Sequence, residues 1–155
     1  MIIKRIWARV NDFCLIELYR KLVTIGEQYA FGLVVLGMRF WMAQIFWYSG
    51  LTKISSWQST VYLFQYEYKT PFFPPEVSAA LATTFELVCP GLLLLGLGAR
   101  FAAVPLLAMT AVIQFTYLDS KENLYWTFLL ATIWFYGPGT FSIDYLIRKK
   151  FWPRS

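Results

Sequence analysis

Residues 29–51 read YAFGLVVLGMRFWMAQIFWYSGL and carry a single ionised side chain, Arg39. About 20 consecutive apolar residues are enough for an α-helix to cross the hydrocarbon core of a bilayer. Because lipid offers the backbone no hydrogen-bond partner, a segment in that environment must satisfy its own polar groups, as a helix does. This stretch therefore predicts a transmembrane helix and sets the fold class as all-α.

Three more apolar stretches follow, at residues 77–97, 101–118 and 124–141. A tight turn separates the first two, and a short polar link precedes the third. The sequence Gly-Pro-Gly interrupts the third stretch near its end, which predicts that its helix stops there. Together with residues 29–51, these stretches predict a transmembrane four-helix bundle.

The composition of the 155-residue chain agrees with a membrane protein and excludes several kinds of site. Hydrophobic residues make up 58% and charged residues 15%, against about 25% charged in soluble domains. The chain has no His, which excludes bis-His haem, His-ligated zinc or copper and a Ser-His-Asp triad. Cys14 and Cys89 lie far apart in apolar runs, so no disulfide framework or CxxC redox centre is expected. The net charge of +5 indicates membrane topology rather than a nucleic-acid partner.

Residues 1–28 do not continue the apolar pattern. Charged side chains interrupt them, so they do not resemble a cleavable signal peptide. Apolar residues recur at helical spacing on one face, and Arg5, Arg9 and Asp12 fall on another. This pattern predicts an amphipathic helix in the cytoplasmic interface, followed by a four-span domain at 29–148 and a basic cytoplasmic tail at 149–155.

Lys and Arg are unevenly distributed between the two predicted sides of the membrane. With the N-terminus in the cytoplasm, ten of them lie on the cytoplasmic side and three, Lys53, Lys69 and Lys121, on the outer side. Positive residues are enriched in cytoplasmic loops. We therefore expect a multi-pass protein with both termini in the cytoplasm.

The link between the first two spans, residues 53–75, is long and aromatic. Trp57, Val61, Phe64 and Tyr68 repeat at helical spacing, and three prolines follow them. The pattern predicts a short helix on the outer face, closed by a proline-rich strap. We expect an aromatic-lined cavity that opens toward the outer leaflet and reaches inward to the ionisable residues of the first two spans.

Those ionisable residues are Arg39 and Glu86, near the middle of the first and second spans. Such residues are costly inside a membrane and are by default paired or functional. Counted from Leu51 and Val77, the predicted outer ends of their spans, their depths differ by only about 4–5 Å. We expect the two side chains to meet, either as a structural ion pair or as the lining of a ligand or proton site.

Further polar residues lie near the predicted outer ends of the spans. Lys53 suits either an interfacial lysine or a contact with a headgroup, an anion or a substrate. Gln114, Asp119 and Asn123 suit either the few donors that a quinone carbonyl needs in an apolar slot or an ordinary wet interface. No metal site is predicted, because the chain has no Cys-x-x-Cys or Met-x-x-Met pair and Cys89 suits a buried apolar thiol.

These features together resemble the DoxX family of small bacterial membrane proteins. The matching segments are Arg39 with GLTK at 50–53, EYKTP at 67–71 with Pro74-Pro75, Glu86 with Gly96 and Arg100, and GPGTFSID at 137–144. The resemblance covers about residues 30–148. It implies a four-helix bundle in the bacterial cytoplasmic (inner) membrane.

The resemblance also implies a connection with redox chemistry. The family is named after a subunit associated with thiosulfate:quinone oxidoreduction and a terminal quinol oxidase, and its members also occur beside metal-binding peptides and in oxidative-stress assemblies. Many relatives carry a His near the start of span four, where this chain has Glu122 and Asn123. This difference argues against His-dependent metal or proton chemistry in this chain.

We therefore expect a quinone-interacting subunit of a membrane redox complex, in contact with lipid and with a protein partner or further copies of itself. In that role Arg39 orients an anionic or carbonyl group, Glu86 is its counter-ion or a proton carrier, and Lys53 recruits the ligand from the outer side. The chain has no ligand set for an intrinsic cofactor and no complete catalytic set, so it is at most an oxidoreductase subunit. The alternative is a non-enzymatic scaffold or assembly factor for a partner enzyme or a metal-handling system.

Overall fold

The computed structural model describes the backbone of residues 2–68, 73–116 and 121–151, and the side chains of 16–68, 73–114 and 121–151. All regular structure in these ranges is helical, which confirms the predicted all-α class. The helices are α1 (Ile2–Ser55), α2 (Trp57–Leu63), α3 (Pro75–Leu95), α4 (Ala99–Thr116), α5 (Lys121–Tyr136) and α6 (Ile143–Phe151), and a π-helical turn, Phe64–Tyr68, continues α2.

Two of the helices in the described part of the chain are long and apolar enough to cross a bilayer, judged by length and composition alone. They are Ile16–Ser55 within α1, and Pro75–Leu95. A shorter apolar helix covers Ala99–Gln114. The short helix predicted after the first span is present as α2. Its location on the outer face depends on the orientation of the chain in the membrane and stays a prediction.

Helix α1 is continuous over 54 residues, so the chain does not divide at residue 28 as the sequence pattern predicted. No proline interrupts this region, and a single glycine such as Gly26 weakens a helix by only about 1 kcal/mol. Side chains 16–31 are exposed almost all round, so this part of α1 projects beyond the packed helices. The predicted amphipathic faces fall largely on residues 2–15, whose side chains lie outside the described ones.

Helices α1, α3, α4 and α5 pack in a ring, in which α1 contacts α3, α3 contacts α4, α4 contacts α5 and α5 contacts α1. The core inside the ring consists of Val35, Met42, Ala43, Phe46, Cys89, Leu93, Ala99, Ala102, Ala103, Leu106, Leu130 and Ile133. Small residues on α4 allow the neighbouring backbones to approach closely. We call one end of the ring the Arg39 end and the other the Lys53 end.

Gly50 sets the register between α1 and α3. A Cβ at this position would lie 3.2 Å from the Cβ of Glu86 and 2.9 Å from the Cδ2 of Leu87. Glycine therefore permits the two helices to touch here, and it places Glu86 at the same level as Gly50. The alignment of these two helices decides which polar residues meet.

Candidate functional site

Arg39 is 1% exposed and bonds to four backbone carbonyl groups. Its Nε donates to Leu93 O at 2.6 Å and its Nη2 to Leu94 O at 2.6 Å. Its Nη1 donates to Pro138 O at 2.9 Å and to Phe141 O at 2.8 Å. The last carbonyls of a helix lack intrahelical partners, so Arg39 satisfies the end of α3 while it holds the loop that follows α5.

Capping bonds fix the same loop from its other side. Ser142 Oγ accepts the backbone N–H of Tyr145 at 3.1 Å, which is the contact of an N-cap residue at the start of α6. The Asp144 carboxylate accepts the N–H groups of Gly98 at 2.8 Å and Ala99 at 3.2 Å, so it caps α4 rather than its own helix. The Gly-Pro-Gly motif and the residues after it thus join α1, α3, α4 and α6 at the Arg39 end.

Arg39 does not meet Glu86, and the predicted pairing of these two residues is wrong. The sequence count assumed that the two spans align at their predicted outer ends, whereas the structure places Glu86 beside Gly50. Arg39 lies 11 residues before Gly50 on α1, a rise of about 16 Å. With four of its five N–H donors on backbone carbonyls, Arg39 holds the fold together rather than lining a ligand site.

Glu86 is paired with Lys53 instead. The Lys53 Nζ lies 2.7 Å from each carboxylate oxygen of Glu86 and donates to the Ser49 Oγ at 2.8 Å. The two side chains are 17% and 3% exposed, respectively. A buried charge persists only when it is paired and hydrogen-bonded. The ammonium group of Lys53 therefore turns back along α1 into the bundle rather than away from it.

A cleft of about 280 Å³ opens between α3 and α4 and ends at this ion pair. We call it the α3–α4 cleft. Its polar lining comprises Lys53, Tyr68, Ser78 and Glu86, and the remaining lining is apolar, including Phe85. The volume is close to the lower end of the range of about 300–1,000 Å³ for small-molecule pockets. The predicted cavity thus has a counterpart at the Lys53 end, although Arg39 does not line it.

Tyr68 lies in the π-helical turn, which contacts both α3 and α4 and covers the cleft. Burial, together with the nearby carboxylates of Glu67 and Glu86, raises the pKa of its phenol above the usual value. A phenol with the ordinary pKa of about 10 is already protonated at neutral pH, and the upward shift extends the protonated range to more alkaline pH.

Asn123 and Gln114 have buried amide atoms without hydrogen-bond partners among the described residues. Asn123 is 1% exposed, and both its Oδ1 and its Nδ2 are unpartnered. The Oε1 of Gln114 is buried and unpartnered as well. An unsatisfied buried polar group costs about 1–3 kcal/mol, so native proteins keep few of them without a bound water or ligand.

Asn123 lies at the level of the ion pair. Trp126, one helical turn away on α5, packs against Phe46 on α1 with the ring centroids 6.4 Å apart. Ser49 is one turn beyond Phe46 in the direction of the Lys53 end, and it accepts a hydrogen bond from the Lys53 ammonium. A single layer of the bundle therefore contains the ion pair and the Asn123 amide.

Gln114 belongs near the same layer, because the preceding residue, Ile113, lines the α3–α4 cleft. Of the four predicted outer-face contacts, the structure thus places Lys53, Gln114 and Asn123 at one end of the bundle. Asp119 lies outside the described residues. We call Ser49, Lys53, Glu86, Gln114 and Asn123 the polar layer.

Hydrogen-bond donors and acceptors, rather than metal ligands, characterise the polar layer. Cys89 is buried in the apolar core. Among the described side chains, no group of three or more potential metal ligands comes together. An ammonium, a protonated phenol and an amide are the kinds of group that orient a carbonyl oxygen in an apolar pocket.

Sequence reasoning missed Ser49 and the pairing of Lys53 with Glu86. The spacing of Ser49 and Lys53, four residues apart on one helix, was a local signal that could have identified the first contact. The pairing of Lys53 with Glu86 depends on the register between α1 and α3, which no local sequence pattern reveals.

The fold and the polar layer define a helical membrane protein with a polar site beside an apolar cleft. The chain belongs to the DoxX family, whose family model matches residues 34–118 and confirms the resemblance seen in the sequence. The matched range includes Arg39, Lys53 and Glu86. A protein of Haemophilus influenzae, described as an uncharacterized protein, is 28% identical over 134 residues, which cover 77% of this chain and 87% of that protein. No solved structure matches the chain.

Proposed function

We propose that this chain is a subunit of a membrane redox complex and that it binds a quinone in the α3–α4 cleft. The observation that carries the proposal is the buried Lys53–Glu86 pair at the inner end of an apolar cleft, with Tyr68 beside it. A quinone combines an apolar tail with a head that bears two carbonyl oxygens. The cleft offers an apolar wall to the tail and donors to the head.

The proposal places α1, α3, α4 and α5 across the bacterial inner membrane, with α2 on the outer face and both termini in the cytoplasm. Many large apolar side chains of these helices face outward, among them Phe101 and Phe128. A contiguous apolar surface of this kind is costly in water and favourable in lipid. The excess of Lys and Arg on the predicted cytoplasmic side supports the orientation.

Each polar residue has a distinct part in binding. The three N–H groups of the Lys53 ammonium contact Ser49 and both oxygens of Glu86, so Lys53 exchanges one of these bonds for a bond to a quinone oxygen and remains balanced by Glu86. The Tyr68 phenol adds a second polar group to the lining of the cleft in which the quinone head would lie. Glu86 holds the Lys53 ammonium at the end of the cleft and balances its charge.

Binding of ubiquinone-1 by the purified protein in quinone-free nanodiscs tests the proposal, with tryptophan fluorescence quenching as the readout. A hydrogen bond to a charged group contributes about 1.5–3 kcal/mol, and its loss weakens binding by about 10- to 150-fold. Lys53→Met should therefore bind ubiquinone-1 at least about 10-fold more weakly than the wild type. Glu86→Gln leaves Lys53 unbalanced and should also weaken binding. Circular dichroism spectra establish that both variants remain helical.

The exposed pair Glu17 and Lys21 supplies matched controls on the same helix. Its N–O distance is 3.3 Å, and its side chains are 59% and 69% exposed. Glu17→Gln and Lys21→Met change the same charges and should bind ubiquinone-1 as the wild type does. The proposal is rejected if the wild-type protein does not bind, or if the site variants bind as tightly as these controls.

A scaffold function is the second candidate, and the projecting part of α1 favours it. Leu18, Leu22, Ile25 and Tyr29 are exposed and repeat at intervals of three and four residues, the spacing at which one helix packs against another. Purified protein that holds no quinone but retains a protein partner would support the scaffold. Removal of residues 2–28 should then release that partner.

A further inference from the structure

A second cavity, of about 790 Å³, lies at the Arg39 end, away from the α3–α4 cleft. It is bounded by α1, the start of α4, the loop after α5, and α6. We call it the α4–α6 groove. Its lining includes the guanidinium groups of two arginines and several large aromatic side chains: Arg100, Arg148, Phe31, Phe101, Tyr136 and Phe151.

Arg100 lies across the backbone of the loop after α5. A Cβ on Gly137 would lie 3.1 Å from the Nε and the Nη2 of Arg100. The Nη2 donates one long hydrogen bond, of 3.5 Å, to Phe135 O. Its remaining donors have no partner within the described part of the chain, so Arg100 is held in place with most of its guanidinium available.

Arg148 faces the same groove from α6. Its guanidinium carbon lies 5.9 Å from the centre of the Tyr145 ring, and the side chain forms no ion pair with any described residue. Asp144 is the only acidic residue in the lining, and its two oxygens accept the N–H groups of Gly98 and Ala99. The groove therefore carries a net positive charge from two arginines.

We propose that the α4–α6 groove binds the headgroup of an anionic phospholipid. Arg100 and Arg148 contact the phosphate, because a guanidinium donates two parallel hydrogen bonds to phosphate oxygens. The glycerol and acyl chains lie against aromatic side chains such as Phe101, which is 84% exposed. Inorganic phosphate would leave this aromatic lining in water, so the groove fits a lipid better than a free ion.

The position of the groove agrees with a lipid site. It lies where α5 ends and α4 begins, which is the depth of the headgroups in the membrane placement proposed above. Basic pockets between helices at that depth recognise anionic headgroups. The inference rests on this membrane placement and is independent of quinone binding in the α3–α4 cleft.

Native mass spectrometry of the detergent-solubilised protein tests the proposal with added dioleoylphosphatidylglycerol, dioleoylphosphatidylcholine or inorganic phosphate. We expect retained phosphatidylglycerol adducts, few phosphatidylcholine adducts and no competition by millimolar phosphate. A basic residue near an anionic headgroup accounts for about a fivefold change in affinity, so Arg148→Gln should reduce phosphatidylglycerol retention by about fivefold. Arg148→Lys keeps the charge and should restore part of it.

Lys149→Gln is the matched control, because it removes the same charge from the next residue of α6 but does not line the groove. It should leave lipid retention unchanged. Arg100→Gln should act like Arg148→Gln, and if that variant does not fold, the Arg148 series still decides the question. The proposal is overturned if Lys149→Gln reduces retention equally, if the two lipids are retained equally, or if phosphate displaces the lipid.

Discussion

Replacement of Arg39 tests whether this residue holds the bundle end together. Arg39→Met would remove the guanidinium from four carbonyl groups, of which Leu93 O still accepts the Gly96 N–H at 3.1 Å; each carbonyl left unsatisfied and buried costs about 1–3 kcal/mol. Removal of the guanidinium also removes its desolvation cost, which offsets part of this sum. Loss of one partner from a buried charged network typically costs about 3–5 kcal/mol, and we expect a decrease in this range.

Two further variants define the scale of that effect. Arg39→Lys keeps the charge, but a single ammonium cannot reach the four carbonyls that the planar guanidinium spans. Its free energy of unfolding should therefore lie between those of the wild type and Arg39→Met. Arg20→Met removes an exposed arginine from the same helix and should change the free energy of unfolding by no more than about 0.5 kcal/mol. Unfolding in mixed dodecylmaltoside–SDS micelles, followed by tryptophan fluorescence, measures all three.

The same assay shows whether Arg39 stabilises the bundle through backbone carbonyl groups or through an ion pair with Glu86, which the sequence had predicted. Because Arg39 and Glu86 are far apart along the bundle, the losses in Arg39→Met and Glu86→Gln should add to within about 0.5 kcal/mol. Lys53→Met and Glu86→Gln should not add, since the two residues are in direct contact. An Arg39→Met variant as stable as Arg20→Met, or strong coupling between Arg39 and Glu86, would refute the assignment.

Four other substitutions have defined outcomes. Asn123→Leu removes two buried polar atoms that have no partner among the described residues and should raise the free energy of unfolding by about 1–3 kcal/mol; an unchanged or lower value would contradict the assignment of these atoms as unsatisfied. Gly96→Ala should lower the free energy of unfolding by at least about 1–2 kcal/mol, because φ is 66° at this residue and the new Cβ would lie 2.7 Å from Arg39 Nη2. At Gly91 a Cβ would meet open space, so Gly91→Ala should leave the stability unchanged or raise it. The pKa of Tyr68 is raised in the folded state, so its contribution to stability is present below a pH of about 10 and is lost as the pH rises through the folded-state pKa. Tyr68→Phe cannot ionise, and its unfolding midpoint should therefore fall less at alkaline pH than that of the wild type.

Local sequence patterns were sufficient for much of the fold. The four apolar stretches correspond to α1, α3, α4 and α5, because long apolar runs and Gly-Pro-Gly breaks are local signals. The N-cap role of Ser142 was also visible in the sequence. The continuity of α1 was not predicted, since a change in composition near residue 28 looked like a boundary although nothing in the sequence ends the helix there.

The candidate site was predicted in part. Lys53, Gln114 and Asn123 were selected as polar residues near the ends of their spans, and the structure places them at one end of the bundle. The partner of Glu86 was missed because it depends on the contact at Gly50, which fixes the register between two helices. Arg39 was expected to pair with a carboxylate, but carbonyl groups at the end of α3 and in a loop far along the chain satisfy it.

Photoaffinity labelling with an azido-ubiquinone in nanodiscs tests the central claim, quinone binding in the α3–α4 cleft, most directly. Peptide mapping by mass spectrometry locates the label after illumination. If the quinone binds in the α3–α4 cleft, the label should lie within α3 and α4 at cleft residues such as Phe85 and Met109. Excess ubiquinone-1 should abolish this labelling, and Lys53→Met should reduce it. Labelling confined to helices that do not line the cleft, or labelling that excess ubiquinone-1 does not suppress, would contradict it.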